Sequence, residues 1–138
     1  MASTTEKKLV IFSDKEVMEF IDTAGNQRNK FFASRDKLLI MMMADAGLRV
    51  RELISLEDRD VTDDYIFVRR GKGNKQRMVY CSPTVAKEVL RYKRVRDAYF
   101  ESKGIPVNGM MFRNRDGGYL KSDGVQKMLK RLKAKVTV

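Results

Sequence analysis

The 138-residue sequence contains no histidine and no tryptophan, one cysteine and two prolines. Without histidine the chain lacks the side chain most used for proton transfer near neutral pH and the commonest zinc ligand. A lone Cys81 rules out an intramolecular disulfide and leaves no credible zinc site. It reads as a small strand residue in a reducing, cytosolic setting. Charge interrupts every apolar segment, so no run approaches the roughly 18 residues that would span a bilayer. Lys7 and Lys8 precede only Leu9 to Phe12 before charge returns, which does not read as a signal peptide. There is no internal repeat, no low-complexity segment and no G-x-x-x-x-G-K-[ST] nucleotide loop.

What is present is positive charge, unevenly spread. Residues 1–60 hold 10 Lys/Arg against 11 Asp/Glu, whereas residues 61–138 hold 19 against 7, and the whole chain carries +11. A basic half joined to a near-neutral half points to one surface facing a polyanion, and nucleic acid is the default partner for such a domain. An anionic membrane surface and simple solubility are the alternatives. The length suits one domain with a normal core.

Residues 1–9 read as a flexible N-terminus. Ser13-Asp14-Lys15-Glu16 is a capping box that opens a helix with an apolar stripe of Val17, Phe20, Ile21 and Ala24. Gly25-Asn26 ends it. Ser34 is placed to cap a second helix, with Asp36 in its first turn. The run Leu38 to Ala44 is apolar nearly all round, as a central buried helix should be. A short third helix is expected from about Leu48 to Leu56, with Arg49 and Glu52 on one side. Val61 is expected to close a first strand. Tyr65 to Arg70 and Gln76 to Cys81 form a hairpin around the turn Gly71-Lys72-Gly73-Asn74-Lys75. Ser82-Pro83 starts a long helix that Gly104 closes, and Ser122 caps a last, strongly basic helix with Val125, Met128, Leu129 and Leu132 inward.

Two basic residues stand out. Arg49 follows a glycine turn after the buried helix, and Lys72 lies at a hairpin tip 23 positions later. Arginine grips phosphate bidentately and is always charged, which suits the negative charge that develops in phosphoryl transfer. A lysine on a hairpin can reach a phosphate or protonate a leaving oxygen.

Ala46-Gly47-Leu48-Arg49-Val50-Arg51-Glu52-Leu53 resembles the first arginine box of the tyrosine recombinase (phage integrase) family, Xer-like in style. Gly71-Lys72-Gly73-Asn74-Lys75-Gln76-Arg77 resembles that family's catalytic-lysine hairpin. Phe12-Ser13-Asp14-Lys15-Glu16-Val17 and Ser34-Arg35-Asp36-Lys37-Leu38-Leu39 resemble the openings of its first two catalytic-domain helices, and Leu56 and Asp60 fit the start of its sheet. The similarity runs from about residue 10 to the end, so residues 10–138 are expected to be part of a catalytic domain. It implies an α+β, mainly helical fold: a helical bundle with a small three-stranded antiparallel sheet.

By position, the resemblance makes Arg49 a catalytic arginine that clamps the scissile phosphate and Lys72 the general acid toward the leaving 5′ oxygen. Glu52 becomes a supporting residue. Lys75 and Arg77 on the hairpin, with Lys121, Ser122, Gln126 and Lys127 on the last helix, would face DNA. The resemblance implies double-stranded DNA as partner, no membrane, no small-molecule substrate, no metal or other cofactor, and a tetramer on DNA for the complete protein. It also implies a cytoplasmic, nucleoid-associated protein of prokaryotic, phage or mobile-element origin. The family's second box, a His (or Lys)-x-x-Arg, and its nucleophilic tyrosine lie beyond the last helix, and none of Tyr65, Tyr80, Tyr92, Tyr99 and Tyr119 takes that place. The expectation is a monomer that binds DNA without cleaving it. The other reading of the same residues is a stand-alone DNA-binding regulator or decoy built on the recombinase scaffold.

Overall fold

A computed structural model describes residues 13–69 and 75–136. Its elements are α1 (Asp14–Gly25), α2 (Lys30–Asp45), α3 (Val50–Ile54), a 3-10 turn (Asp58–Asp60), β1 (Tyr65–Val68), β2 (Arg77–Tyr80), α4 (Pro83–Ser102) and α5 (Ser122–Lys133). The expected flexible segment 1–9 lies outside the described residues, as does Lys72, expected at the hairpin tip.

The fold is organised around α2. Leu38, Leu39, Ile40 and Met42 are fully enclosed, and Met41 and Met43 nearly so. From Leu38 to Met43 the helix is apolar on all sides, as suits an element that packs against both α1 and α4. Each such side chain stabilises the fold by about 1.5–3 kcal/mol relative to its exposed state. An aromatic layer joins α2 to α4: Phe31 stacks on Tyr99 at 4.5 Å between centroids and meets Phe100 edge-on at 5.0 Å. Tyr92, wholly buried, donates its hydroxyl to the Met111 carbonyl at 2.8 Å, and burial pushes that phenol above its ordinary range.

The caps settle where the helices start. Ser13 Oγ accepts the Glu16 N–H and the Glu16 carboxylate accepts the Ser13 N–H, so the expected capping box is formed. Ser82 Oγ caps α4 at the Val85 N–H, with Pro83 in the first turn. The expected cap at Ser34 is corrected: α2 begins a turn earlier, where Asn29 Oδ1 accepts the Phe32 N–H at 3.0 Å. Ser34 therefore sits inside the helix, and its Oγ is buried without a hydrogen-bond partner among the described residues. For α5 the cap position is Lys121, with no side-chain cap bond, and Ser122 is the first helical residue.

The sheet has two strands, not three. β1 and β2 pair antiparallel with Val68 opposite Arg77 and Tyr65 opposite Tyr80. Val61, expected to close a strand, makes one isolated bridge to Ile66. The reason is local. Asp60 reaches back to accept the Glu57 N–H at 2.9 Å, and the chain curls into a 3-10 turn that removes these residues from a ladder. Ile66 and Val68 face the core, while Tyr65, Met78 and Tyr80 stay exposed on the other face.

Buried arginines tie the segment between α4 and α5 to the bundle. Arg96 grips Asp58 at 2.7 and 3.1 Å and donates to the Met110 and Met111 carbonyls. Arg113 donates to the carbonyls of Gly117 and Pro106 and lies over the Phe100 ring at 4.2 Å; burial lowers its pKa. Gly117 has φ +89°, and a Cβ there would stand 2.7 Å from Ile105 and 2.8 Å from the Arg113 guanidinium, so the turn requires glycine.

Candidate nucleic-acid interface

The chain enters the candidate site through Gly47, whose φ of +70° lets it leave α2 and turn into α3 without a side-chain penalty. Arg49 is the N-cap of α3, with extended backbone at φ −85° and ψ 157°, and its side chain is half-buried. The sequence placed Arg49 and Glu52 on one helical face. In the structure they meet differently: the Arg49 backbone N–H donates to Glu52 Oε1 at 2.9 Å. An arginine side chain cannot accept a capping bond, so among the described residues it is Glu52 that caps this end.

Glu52 also reaches the hairpin. Its two carboxylate oxygens take Arg77 Nη1 and Nη2 at 2.5 and 3.1 Å, a bidentate pair with the Glu52 side chain 2% exposed. Burial pushes the Glu52 carboxyl up, but the hydrogen bonds from Arg77 and from the Arg49 N–H, with both positive charges, outweigh it and leave its pKa below the ordinary value of 4.5. The same pair raises the pKa of Arg77. One carboxylate thus joins the turn that carries Arg49 to the strand that follows the glycine turn. Arg77, read as a phosphate contact, spends its fork on Glu52 with 41% of its side chain exposed.

Of the remaining candidates, the three lysines are exposed. Lys75 is exposed two residues before Arg77. α3 packs against α5, which brings the basic helix beside the Arg49 turn. On α5, Val125, Met128 and Leu132 turn inward. Lys121 and Lys127 are exposed, and Ser122 and Gln126 are half-buried. Lys127 lies 4.0 Å from Asp123, both in water, a pair of little energetic consequence. Among the described residues no group of three or more His, Cys, Asp or Glu could hold a metal ion, and no helix is long and apolar enough to cross a membrane.

Sequence reasoning missed a second arginine–carboxylate pair beside this site. Arg69, the residue after β1, places Nε 3.0 and 3.1 Å and Nη2 2.9 Å from the carboxylate of Asp60, whose side chain is 2% exposed. The available signal was spacing: Glu57-x-x-Asp60 repeats the amide-to-carboxylate step of Arg49-x-x-Glu52.

Residues 11–138 match the phage integrase family. Over 128 residues the chain is 32% identical to the tyrosine recombinase XerD of Staphylococcus haemolyticus, covering 91% of this chain and 42% of that protein. It is 36% identical over 86 residues to the tyrosine recombinase XerA of Pyrococcus horikoshii, covering 61% of this chain and 28% of that protein. The chain therefore spans less than half the length of these relatives. The crystal structure of XerA recombinase shares its fold with a TM-score of 0.70 at 23% identity, over 92% of this chain and 43% of that one. The XerH site-specific recombinase bound to its difH substrate in a pre-cleavage complex gives 0.70 at 22% identity, over 91% of this chain and 36% of that one.

Proposed function

Because the chain belongs to the phage integrase family, we propose that it binds double-stranded DNA and carries part of the phosphate-clamping site of a site-specific tyrosine recombinase. The observation behind this reading is the Glu52 carboxylate that holds the Arg49 turn and the hairpin strand together. Two segments that are far apart in sequence are fixed beside each other, as a clamp on a single phosphate requires. The XerH site-specific recombinase, which shares the fold, is seen bound to its difH substrate, and this supports a recombination-site partner for this chain.

In the proposed mechanism Arg49 donates to the non-bridging oxygens of the scissile phosphate and stabilises the charge that builds there. Lys72 protonates the leaving 5′ oxygen, relieving the charge on the departing group. Glu52 touches neither atom; it sets the backbone from which Arg49 projects. Lys75, Lys121, Ser122, Gln126 and Lys127 hold the duplex, mostly through its phosphates, and fix register more than sequence.

In this reading none of the five tyrosines of these residues is the nucleophile. Tyr92 is enclosed and hydrogen-bonded to the Met111 carbonyl, Tyr99 is stacked on Phe31, Tyr65 and Tyr80 lie on the outer face of the hairpin, and Tyr119 is exposed where it bridges Arg113 ahead of α5. These 138 residues by themselves are expected to bind a duplex as a monomer and not to break it, with tetramer assembly belonging to the complete protein.

The test is fluorescence anisotropy with a labelled duplex, followed by incubation with a nicked duplex and denaturing electrophoresis. Binding that weakens steeply with salt, with no covalent adduct, is the expected result. Failure to bind duplex at low salt would sink the DNA reading. A denaturant-resistant adduct would overturn the claim that the chain alone is inert.

A further inference from the structure

Two short helical turns in this protein are built on one plan. In each, a carboxylate accepts the backbone N–H three residues upstream and then takes an arginine fork from the hairpin. Glu52 takes the Arg49 N–H and Arg77; Asp60 takes the Glu57 N–H and Arg69. Both carboxylates are buried, at 2% side-chain exposure. Arg77 opens β2 and pairs in register with Val68, the residue before Arg69, so the two forks flank the same end of the hairpin. Arg69 is further fixed by the Phe67 ring, 5.7 Å from its guanidinium carbon.

We propose that Asp60 and Arg69 are positioning residues which, together with Glu52 and Arg77, mount both strands of the hairpin on the helical body and so set how the exposed Lys75, two residues before Arg77, meets the DNA backbone. This rests on the reading that the chain binds duplex DNA. Ile66 and Val68 already hold β1 in the core, but apolar contacts are non-directional, so with a single fork the open end of the ribbon could still turn about one strand. Two forks on opposite strands remove that rotation. Bidentate arginine pairs suit the task because their planar geometry fixes orientation as well as distance.

The mount and simple electrostatics predict opposite signs, which makes the inference testable. Asp60→Asn raises the net charge above +11 by one, so charge alone predicts tighter DNA binding with a steeper salt dependence. The mount predicts weaker binding, with the log–log salt slope reduced by about 1, the worth of one phosphate contact at Lys75. Lys75→Gln should then have little further effect in the Asp60→Asn background. Arg69→Lys keeps the charge and loses the fork, so it should weaken binding as well.

The measurements are duplex anisotropy across a salt series and hydrogen exchange of the β1 and β2 amides, with circular dichroism to establish folding. Weaker binding by both variants with faster exchange in β1 and β2 is expected. If Asp60→Asn does not fold, Arg69→Lys decides alone. A folded variant that binds as tightly as the parent, or whose strand amides exchange at the parent rate, overturns the mount. A parent chain that binds no duplex overturns the DNA reading instead, and the exchange arm separates the two failures.

Discussion

Glu52 performs two tasks with one carboxylate, capping the Arg49 amide and neutralising Arg77. Its folded pKa lies below its ordinary 4.5 because hydrogen bonds and nearby positive charge outweigh the burial that would raise it. A carboxyl depressed by folding stabilises the native state above its unfolded pKa and loses that contribution as pH falls through the folded value. Glu52→Gln should therefore lower stability at neutral pH by about 1–3 kcal/mol. The lower end is expected because part of Arg77 remains in water. The loss should shrink below about pH 4.5 as the parent's own carboxyl protonates, with the variant showing a flatter acid limb. Urea unfolding at a series of pH values measures this, and a loss that is constant from pH 7 to pH 3 would contradict it.

Among the elements, α2 shows which parts of the fold were legible in the sequence and which were not. Its core was visible because Leu38 to Met43 leave no polar face, a pattern that only enclosure by neighbours on all sides explains. Its start was not, because Asn29 and Ser34 are both good caps and the choice depends on where Phe31 finds its aromatic partners. The sheet was misjudged by one strand for a related reason. Val61 has the right character, but the bond from the Glu57 N–H to Asp60 curls the chain first, and nothing in the local pattern ranks these choices. At the candidate site, Arg49 and Glu52 were legible as a spaced pair, while the Arg77 and Arg69 pairings span 25 and 9 residues and come only with the folded hairpin. The cap assignment has a direct consequence. Asn29→Ala should cost about 1 kcal/mol, whereas Ser34→Ala, which removes a buried unpaired hydroxyl, should leave stability unchanged or raise it. Thermal midpoints of the two variants check this, and equal losses would mean that Ser34 has a partner or caps the helix after all.

At the scale of the whole molecule, the positive charge of residues 61–138 is spread over several elements, and only some of it faces the candidate site. α5 places Lys121 and Lys127 in water beside the Arg49 turn, whereas α4 carries its own exposed cations, among them Lys87 and Arg94. If net charge alone attracted DNA, removing a cation from either helix would weaken binding to a similar extent, because long-range attraction depends weakly on position within about one Debye length, roughly 8–10 Å. A defined interface acts differently, since only a cation that displaces a counterion from a phosphate contributes to the salt slope, by about 0.9 each. Lys121→Ala and Lys127→Ala should each reduce the log–log slope of duplex binding by about 1, while Lys87→Ala and Arg94→Ala should shift affinity slightly and leave the slope in place. Anisotropy titrations of the four variants across a salt series decide between the two pictures. Four equal slope changes would mean a diffuse polycation, and a change confined to the α5 pair would define the face on which the duplex lies.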